Sequence, residues 1–291
     1  MECTHSQKFR FNIREFAGAI GDYGTLIPIV FGVVAVTDMR LGPILFFFAL
    51  SYIAAGLYYK LPMPVEPMKA IGAIAIAGNL NAMEVAGAGI LAGVILLVIG
   101  LTGTMKLIKN AVPESIIRGI QLGLALALLA VAWDFVAQDA VVGLSAIAVI
   151  LAFTFLPVLD VSSLVVFAIG LVIGIVSRGL PPVTFLSCPG LAVSSLSDFT
   201  GGSNIISGVI LLLIALFFAS PESAQLIPYG ILGALLFFTS VQLLKSSWKT
   251  DNKLFTLLTG LIAFFVNITA GFLIMLMVFW IMKKSRSSRD M

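Results

Sequence analysis

The sequence predicts an all-α, polytopic membrane protein of about ten transmembrane segments, one of them a broken half-helix. Three observations predict it. Of the 291 residues, 60% are hydrophobic and only 11% are charged, whereas a soluble domain carries roughly 25% charged residues. Mean hydropathy is +1.12. The apolar residues are gathered into long runs, and at about 20 residues per crossing and about 6 per connection the chain has room for roughly eleven spans. This leaves too little charge to cover a water-facing surface. A soluble enzyme, a nucleic-acid module and a single-anchor protein are therefore excluded.

The apolar runs fall at 16–36, 41–59, 70–78, 85–105, 113–136, 140–158, 161–177, 203–219, 228–244 and 254–282. They are predicted to be helices, because an open strand edge in lipid leaves backbone groups unpaired. Most of the 27 glycines are read as small residues that let helices approach closely. Residues 1–15 read as a cytoplasmic leader, 16–282 as the transmembrane domain and 283–291 as a basic tail. Lys8, Arg10 and Arg14 precede the first run, and Lys283, Lys284, Arg286 and Arg289 follow the last. Cytoplasmic flanks collect Lys and Arg, so a cell-membrane protein with both termini inside is expected. The leader has no short apolar core followed by a small-residue cleavage site, so it does not read as a signal peptide.

The net charge of +3 points to no nucleic-acid partner. Cys3 and Cys188 are the two cysteines, too few for a disulfide framework. The one histidine, His5, lies in the leader, which excludes a histidine metal or proton-relay site in the membrane. No cofactor is expected.

Two stretches interrupt the pattern. In Leu61-Pro62-Met63-Pro64-Val65-Glu66-Pro67-Met68-Lys69, three prolines fall within six residues, which forbids a helix interior. Residues before proline prefer extended geometry, so 61–66 reads as an extended piece. Pro67 suits the first position of a short helix, over Ala70–Gly78. Extended backbone at membrane depth is tolerated only where protein buries it or it lines a cavity, and broken helices of this kind mark transporter binding sites.

The second interruption, 179–202, is rich in Pro, Ser and Gly and reads equally as an external loop or a re-entrant segment. Counting 254–282 as one long helix keeps 179–202 outside and puts Lys245, Lys249 and Lys253 outside too, against the charge rule. Breaking that run near Asn267-Ile268-Thr269-Ala270-Gly271 returns the lysines inside and requires 179–202 to cross. The ten-segment count follows the first choice.

Few residues are placed to do chemistry. Asp22, in Gly21-Asp22-Tyr23-Gly24-Thr25, sits one turn into the first apolar run. A carboxylate at a membrane helix centre costs about 2.5–3.5 kcal/mol on insertion scales, so it is read as a proton or cation site, against a plainer role as a cap or ion-pair partner near the interface. Glu66 and Lys69 flank the start of the half-helix, three residues apart on one face. A neutralising pair is the plainer reading. The functional one is that the helix start offers free N–H groups and about half a positive charge to an anion, and Lys69 deepens that potential. Arg118 and Gln121 lie in the first turns of the run after Pro113; Arg118 reads most simply as snorkelling to the interface, and Gln121 as a donor to an oxyanion or another helix. Gly201-Gly202-Ser203-Asn204 opens a second helix start rich in N–H donors. Trp133 fits an interfacial aromatic belt. The chain carries no HExxH, GxSxG, Walker-type loop or CxxC, so no enzyme is expected.

At these positions the sequence resembles a known family. GDYGTLIPIV (21–30), PMPVEPMKAIGAIAIAG (62–78) and PESIIRGIQLGLALAL (113–128) resemble signature segments of the molybdate transporter family related to the SulP sulfate transporters. GGSNIISGVILLLIALF (201–217) and PYGILGALLFFTSVQLL (228–244) resemble its C-terminal half. The resemblance implies secondary transport of a tetrahedral oxyanion, molybdate or sulfate, on a seven-plus-seven inverted-repeat scaffold with substrate between two facing half-helices. It places Thr25, Glu66, Pro67, Met68, Lys69 and Gln121 at the substrate and makes Asp22 or Glu66 the coupling group. One departure stands out: the family's second-half motif of Pro, Cys-His and several glycines is absent. Fourteen spans at about 20 residues each would fill nearly the whole chain, so the scaffold is expected to be incomplete, short by about three elements. A homodimer would supply the missing wall. The rival readings are a passive anion channel and a shortened homologue that serves as a membrane subunit without transporting.

Overall fold

The computed structural model describes residues 13–37, 39–59, 65–67, 69–78, 80–155, 162–179, 194–196, 201–217 and 227–287. The first apolar run forms α1 (Ile13–Thr37), which continues through Pro28. The second forms α2 (Leu41–Tyr59). The proline-rich stretch then yields a short extended strand, β1 (Val65–Pro67), and a nine-residue helix, α3 (Lys69–Ala77). Val65 and Glu66 of the expected extended piece are in β1, while 61–64 lie outside the described residues; Pro67, expected at the first helical position, instead closes the strand, and the short helix begins at Lys69.

Next comes α4 (Ala82–Thr102), whose start is closed by a capping box: the Glu84 amide donates to the Asn81 side chain at 2.9 Å, and the Asn81 amide donates to the Glu84 carboxylate at 2.8 Å. Two donors that the helix itself cannot satisfy are thereby paired. The helix stops at Gly103, whose φ of 66° is a left-handed conformation that glycine adopts without steric cost. A short α5 (Met105–Ala111) leads to Pro113 and α6 (Glu114–Gln138). Then follow α7 (Ala140–Phe155), α8 (Ser162–Arg178), a second strand β2 (Ser194–Leu196), α9 (Gly201–Phe217), α10 (Tyr229–Ser247), α11 (Lys253–Phe265) and α12 (Ile268–Ser287).

One expectation about the C-terminal part is corrected. The run 254–282 is two helices, divided at Val266 and Asn267. The Asn267 side chain accepts from the Thr269 amide at 2.8 Å, and its main-chain carbonyl accepts from the Gly271 amide at 2.9 Å. An asparagine that bonds the backbone ahead of it competes with the helix and starts a new one. Within 179–202, residues Ser194–Leu196 form β2, which pairs with β1.

Packing is organised by α1, which has two apolar faces. Ile29 and Val33, one turn apart, join a core with Ala73 and Ile76 of α3, Leu124 and Leu128 of α6 and the buried body of α10. Tyr23, Leu26 and Val30, spaced i, i+3 and i+7, join a second core with Leu45, Phe48 and Tyr52 of α2 and Leu211 and Ala215 of α9. That periodicity puts each set on its own stripe of one helix. Small residues set the closest approaches: a Cβ on Gly208 of α9 would come within 2.5 Å of Ile53 Cγ1 and 2.8 Å of the Ala49 carbonyl oxygen in α2.

Among the described residues, four helices are long and apolar enough to cross a membrane: α2, α4, α6 and α10. Among them, α4 is apolar all round and buries none of its residues. A helix of that kind is stable only when lipid or protein covers it. The chain is a multi-pass helical membrane protein.

Candidate functional site

The site is built on a short antiparallel ladder. Val65 pairs with Leu196, Glu66 with Ser195 and Pro67 with Ser194. A proline has no N–H to give to a ladder, so Pro67 sits where β1 ends. The chain leaves β1 past Pro67 into α3, which starts at Lys69, and leaves β2 past Leu196 into α9, which starts at Gly201. Because the strands are antiparallel, these exits lie at opposite ends of the ladder, and each helix presents its N-terminus toward it. The first N–H groups of a helix have no partner within it and its start carries a partial positive charge, so helix ends of this kind favour an anion.

The ladder is held from the side by α1, which packs on β1, α3 and α9. Within Gly21-Asp22-Tyr23-Gly24-Thr25, Tyr23 is buried and its hydroxyl donates to the Ser207 carbonyl of α9 at 2.9 Å. That bond links residues far apart in sequence and fixes α9 against the motif of α1. Pro28 lies one turn on and, lacking an N–H, cannot give the Gly24 carbonyl its helical hydrogen bond.

The sequence-chosen residues fall unevenly. Glu66 and Pro67 are in β1, Lys69 is the first residue of α3, and Asp22 and Thr25 are on α1. Those elements touch one another, so the backbone brings these positions together; the side chains of these five lie outside the described residues. Met68 lies outside them altogether. Gln121 is on α6, which packs on α3, but its Oε1 accepts from Arg118 Nη1 at 3.2 Å. Arg118 also holds Glu114, with Nη2 at 3.0 Å and Nε at 3.2 Å from the same carboxylate oxygen. The three residues form one i, i+3, i+4 network along α6. Arg118 is thus an ion-pair partner of Glu114.

What the sequence reading missed is the strand at Ser194–Leu196. The available signal was Gly201-Gly202 opening a helix shortly after a polar Ser-Ser pair; a three-residue strand has too few residues to show a period. The buried polar residues of α9 were also missed: Asn204 and Ser207 are almost fully enclosed, on the first turns of the second helix start.

Comparison with known proteins fits this geometry. A family model described as "Molybdate transporter of MFS superfamily" matches residues 14–128, which hold α1, β1, α3 and the start of α6. The chain is 45% identical over 128 residues to "Molybdate transporter 1" of Arabidopsis thaliana, a stretch that covers 42% of this chain and 28% of the relative. It is 41% identical over 110 residues to "Molybdate transporter 2" of the same plant, covering 37% of this chain and 24% of the relative. With "Molybdate transporter 1" of Chlamydomonas reinhardtii it is 33% identical over 117 residues, 39% of this chain and 22% of the relative. The matched stretches thus span about a quarter of those relatives' length. Among solved structures, the transmembrane domain of the cyanobacterial bicarbonate transporter BicA superposes with a TM-score of 0.58, covering 92% of this chain and 98% of that one at 13% identity. At that identity the likeness shows the fold alone. The resemblance read from residues 21–30, 62–78 and 113–128 thus falls within the matched stretch.

Proposed function

We propose that the protein carries a tetrahedral oxyanion, molybdate or sulfate, across the cell membrane, with the substrate held at the N-terminus of α3. The observation that carries this reading is the β1–β2 pairing, which sets the starts of α3 and α9 at the two ends of one ladder. The molybdate transporters matched over residues 14–128 support the choice of substrate. In this reading Lys69 and the free amides after Pro67 and Met68 neutralise the dianion, and Thr25 and Gln121 donate neutral hydrogen bonds. Asp22 or Glu66 takes the coupling proton, so that anion charge and proton charge cross together. Both termini face the cytoplasm, and a homodimer completes the wall around the site.

The test is oxyanion uptake into proteoliposomes, comparing wild type with Lys69→Ala. Hydrogen bonds to a charged group contribute about 1.5–3 kcal/mol, so uptake at subsaturating molybdate should fall roughly 10- to 100-fold. Equal uptake by the two proteins removes Lys69 from the site. A second reading is a membrane subunit that binds without transporting. Molybdate binding to purified protein with no uptake into vesicles would select it.

A further inference from the structure

Away from the ladder, α6, α7, α10 and α11 leave an open cleft of about 600 Å³, a size typical of small-molecule sites. Its walls are apolar: Leu126 and Leu129 of α6, Ile147 of α7, Phe237 of α10 and Phe264 of α11. Toward the C-terminus of α6 the lining becomes polar, at Trp133 and Asp134. From Leu126 to Asp134 the helix rises about 12 Å. The cleft is therefore a trough with an apolar body and a carboxylate at one end.

Among the described residues, the charged groups at the C-terminal end of α6 are acidic. Asp134 is exposed and, among the described residues, its carboxylate has no ion-pair partner. Asp139 follows directly after α6, and the helix C-terminus adds about half a negative charge. The cation on this helix, Arg118, stands about 24 Å away along the axis and is held by Glu114. The exposed indole of Trp133 offers a π face beside the carboxylate. An apolar tail with an ammonium head matches this layout. A head of net negative charge does not.

We propose that the cleft is a site for an ethanolamine phospholipid. One acyl chain lies along Leu126 and Leu129, and the head ammonium donates to the Asp134 carboxylate over the Trp133 ring. The site is independent of the oxyanion reading, since it shares no residue with the ladder.

Native mass spectrometry of the full chain, titrated with phosphatidylethanolamine or phosphatidylglycerol, tests it. Wild type should retain phosphatidylethanolamine at least several-fold more tightly. Asp134→Asn should lower that affinity to the phosphatidylglycerol level and leave phosphatidylglycerol unchanged. Leu129→Trp, which fills the trough, should weaken both lipids. Asp134 is exposed, so Asp134→Asn is expected to keep the wild-type thermal midpoint, and that is measured alongside. Equal retention of the two lipids by wild type, a preference that survives Asp134→Asn, or undiminished binding by Leu129→Trp would each overturn the proposal.

Discussion

Replacing Gly208 by alanine should move α9 and with it one of the two helix starts at the ladder. The new Cβ would stand 2.5 Å from Ile53 Cγ1, 2.8 Å from the Ala49 carbonyl oxygen and 3.1 Å from the Ile53 amide nitrogen. The isoleucine side chain can turn away. The two backbone atoms cannot, so α9 and α2 must separate by a few tenths of an ångström or more. Overpacking of this kind costs about 1–3 kcal/mol. Alanine also gains about 1 kcal/mol over glycine in helix propensity, which would mask part of the clash. Gly87 of α4 supplies the control, because nothing lies within 4 Å of a Cβ there. Gly87→Ala takes the propensity gain without a clash, and the difference between the two variants isolates the steric cost. In detergent, followed by tryptophan fluorescence, Gly208→Ala should melt roughly 2–6 °C below Gly87→Ala. Oxyanion uptake should fall in Gly208→Ala alone, since Gly208 lies two turns from the start of α9. If the two variants melt together and transport equally, close α2–α9 contact does not position this helix, and the account of how the ladder is held fails.

Two further substitutions test other links. Asn81→Ala removes the side chain that caps α4 and leaves the Glu84 amide unpaired; it should destabilise by about 0.5–2 kcal/mol, seen as faster amide exchange in the first turn of α4, with uptake unchanged. Thr256→Val removes a buried hydroxyl that donates to the Ser115 carbonyl at 3.1 Å and pairs with Thr250 at 2.8 Å. Interhelical hydrogen bonds in membrane proteins contribute about 0.6 kcal/mol on average and up to about 1.7, so a fall in thermal midpoint of a few degrees is expected. No change would mean that α6 and α11 are joined by packing at Gly119 and Gly260 alone.

Much of this architecture is fixed locally. A long apolar run without internal proline pairs has one way to satisfy its backbone in lipid, so runs such as 41–59 and 113–136 and the helices α2 and α6 nearly coincide. Three prolines between Pro62 and Pro67 forbid a helix there and permit one after it, which is why β1 and α3 could be read in advance. The capping asparagines at positions 81 and 267 likewise mark their helix starts within four residues. Asn267 could have been given its full weight, because the break it causes is visible in the order of residues.

Tertiary structure decided the rest. That Ser194–Leu196 would pair with Val65–Pro67 depends on two segments about 130 residues apart meeting, and a strand of three residues leaves no periodicity to announce it. That Tyr23 would reach Ser207, or that Gln121 would turn to Arg118, depends on which faces meet once helices pack, and many polar partners are equally open to an unfolded chain. Composition and proline placement therefore determined that this is a helical membrane protein with a broken segment. Long-range packing determined that the break meets a second one, because an antiparallel ladder and the opposed helix starts at its ends exist only after distant parts of the chain have come together.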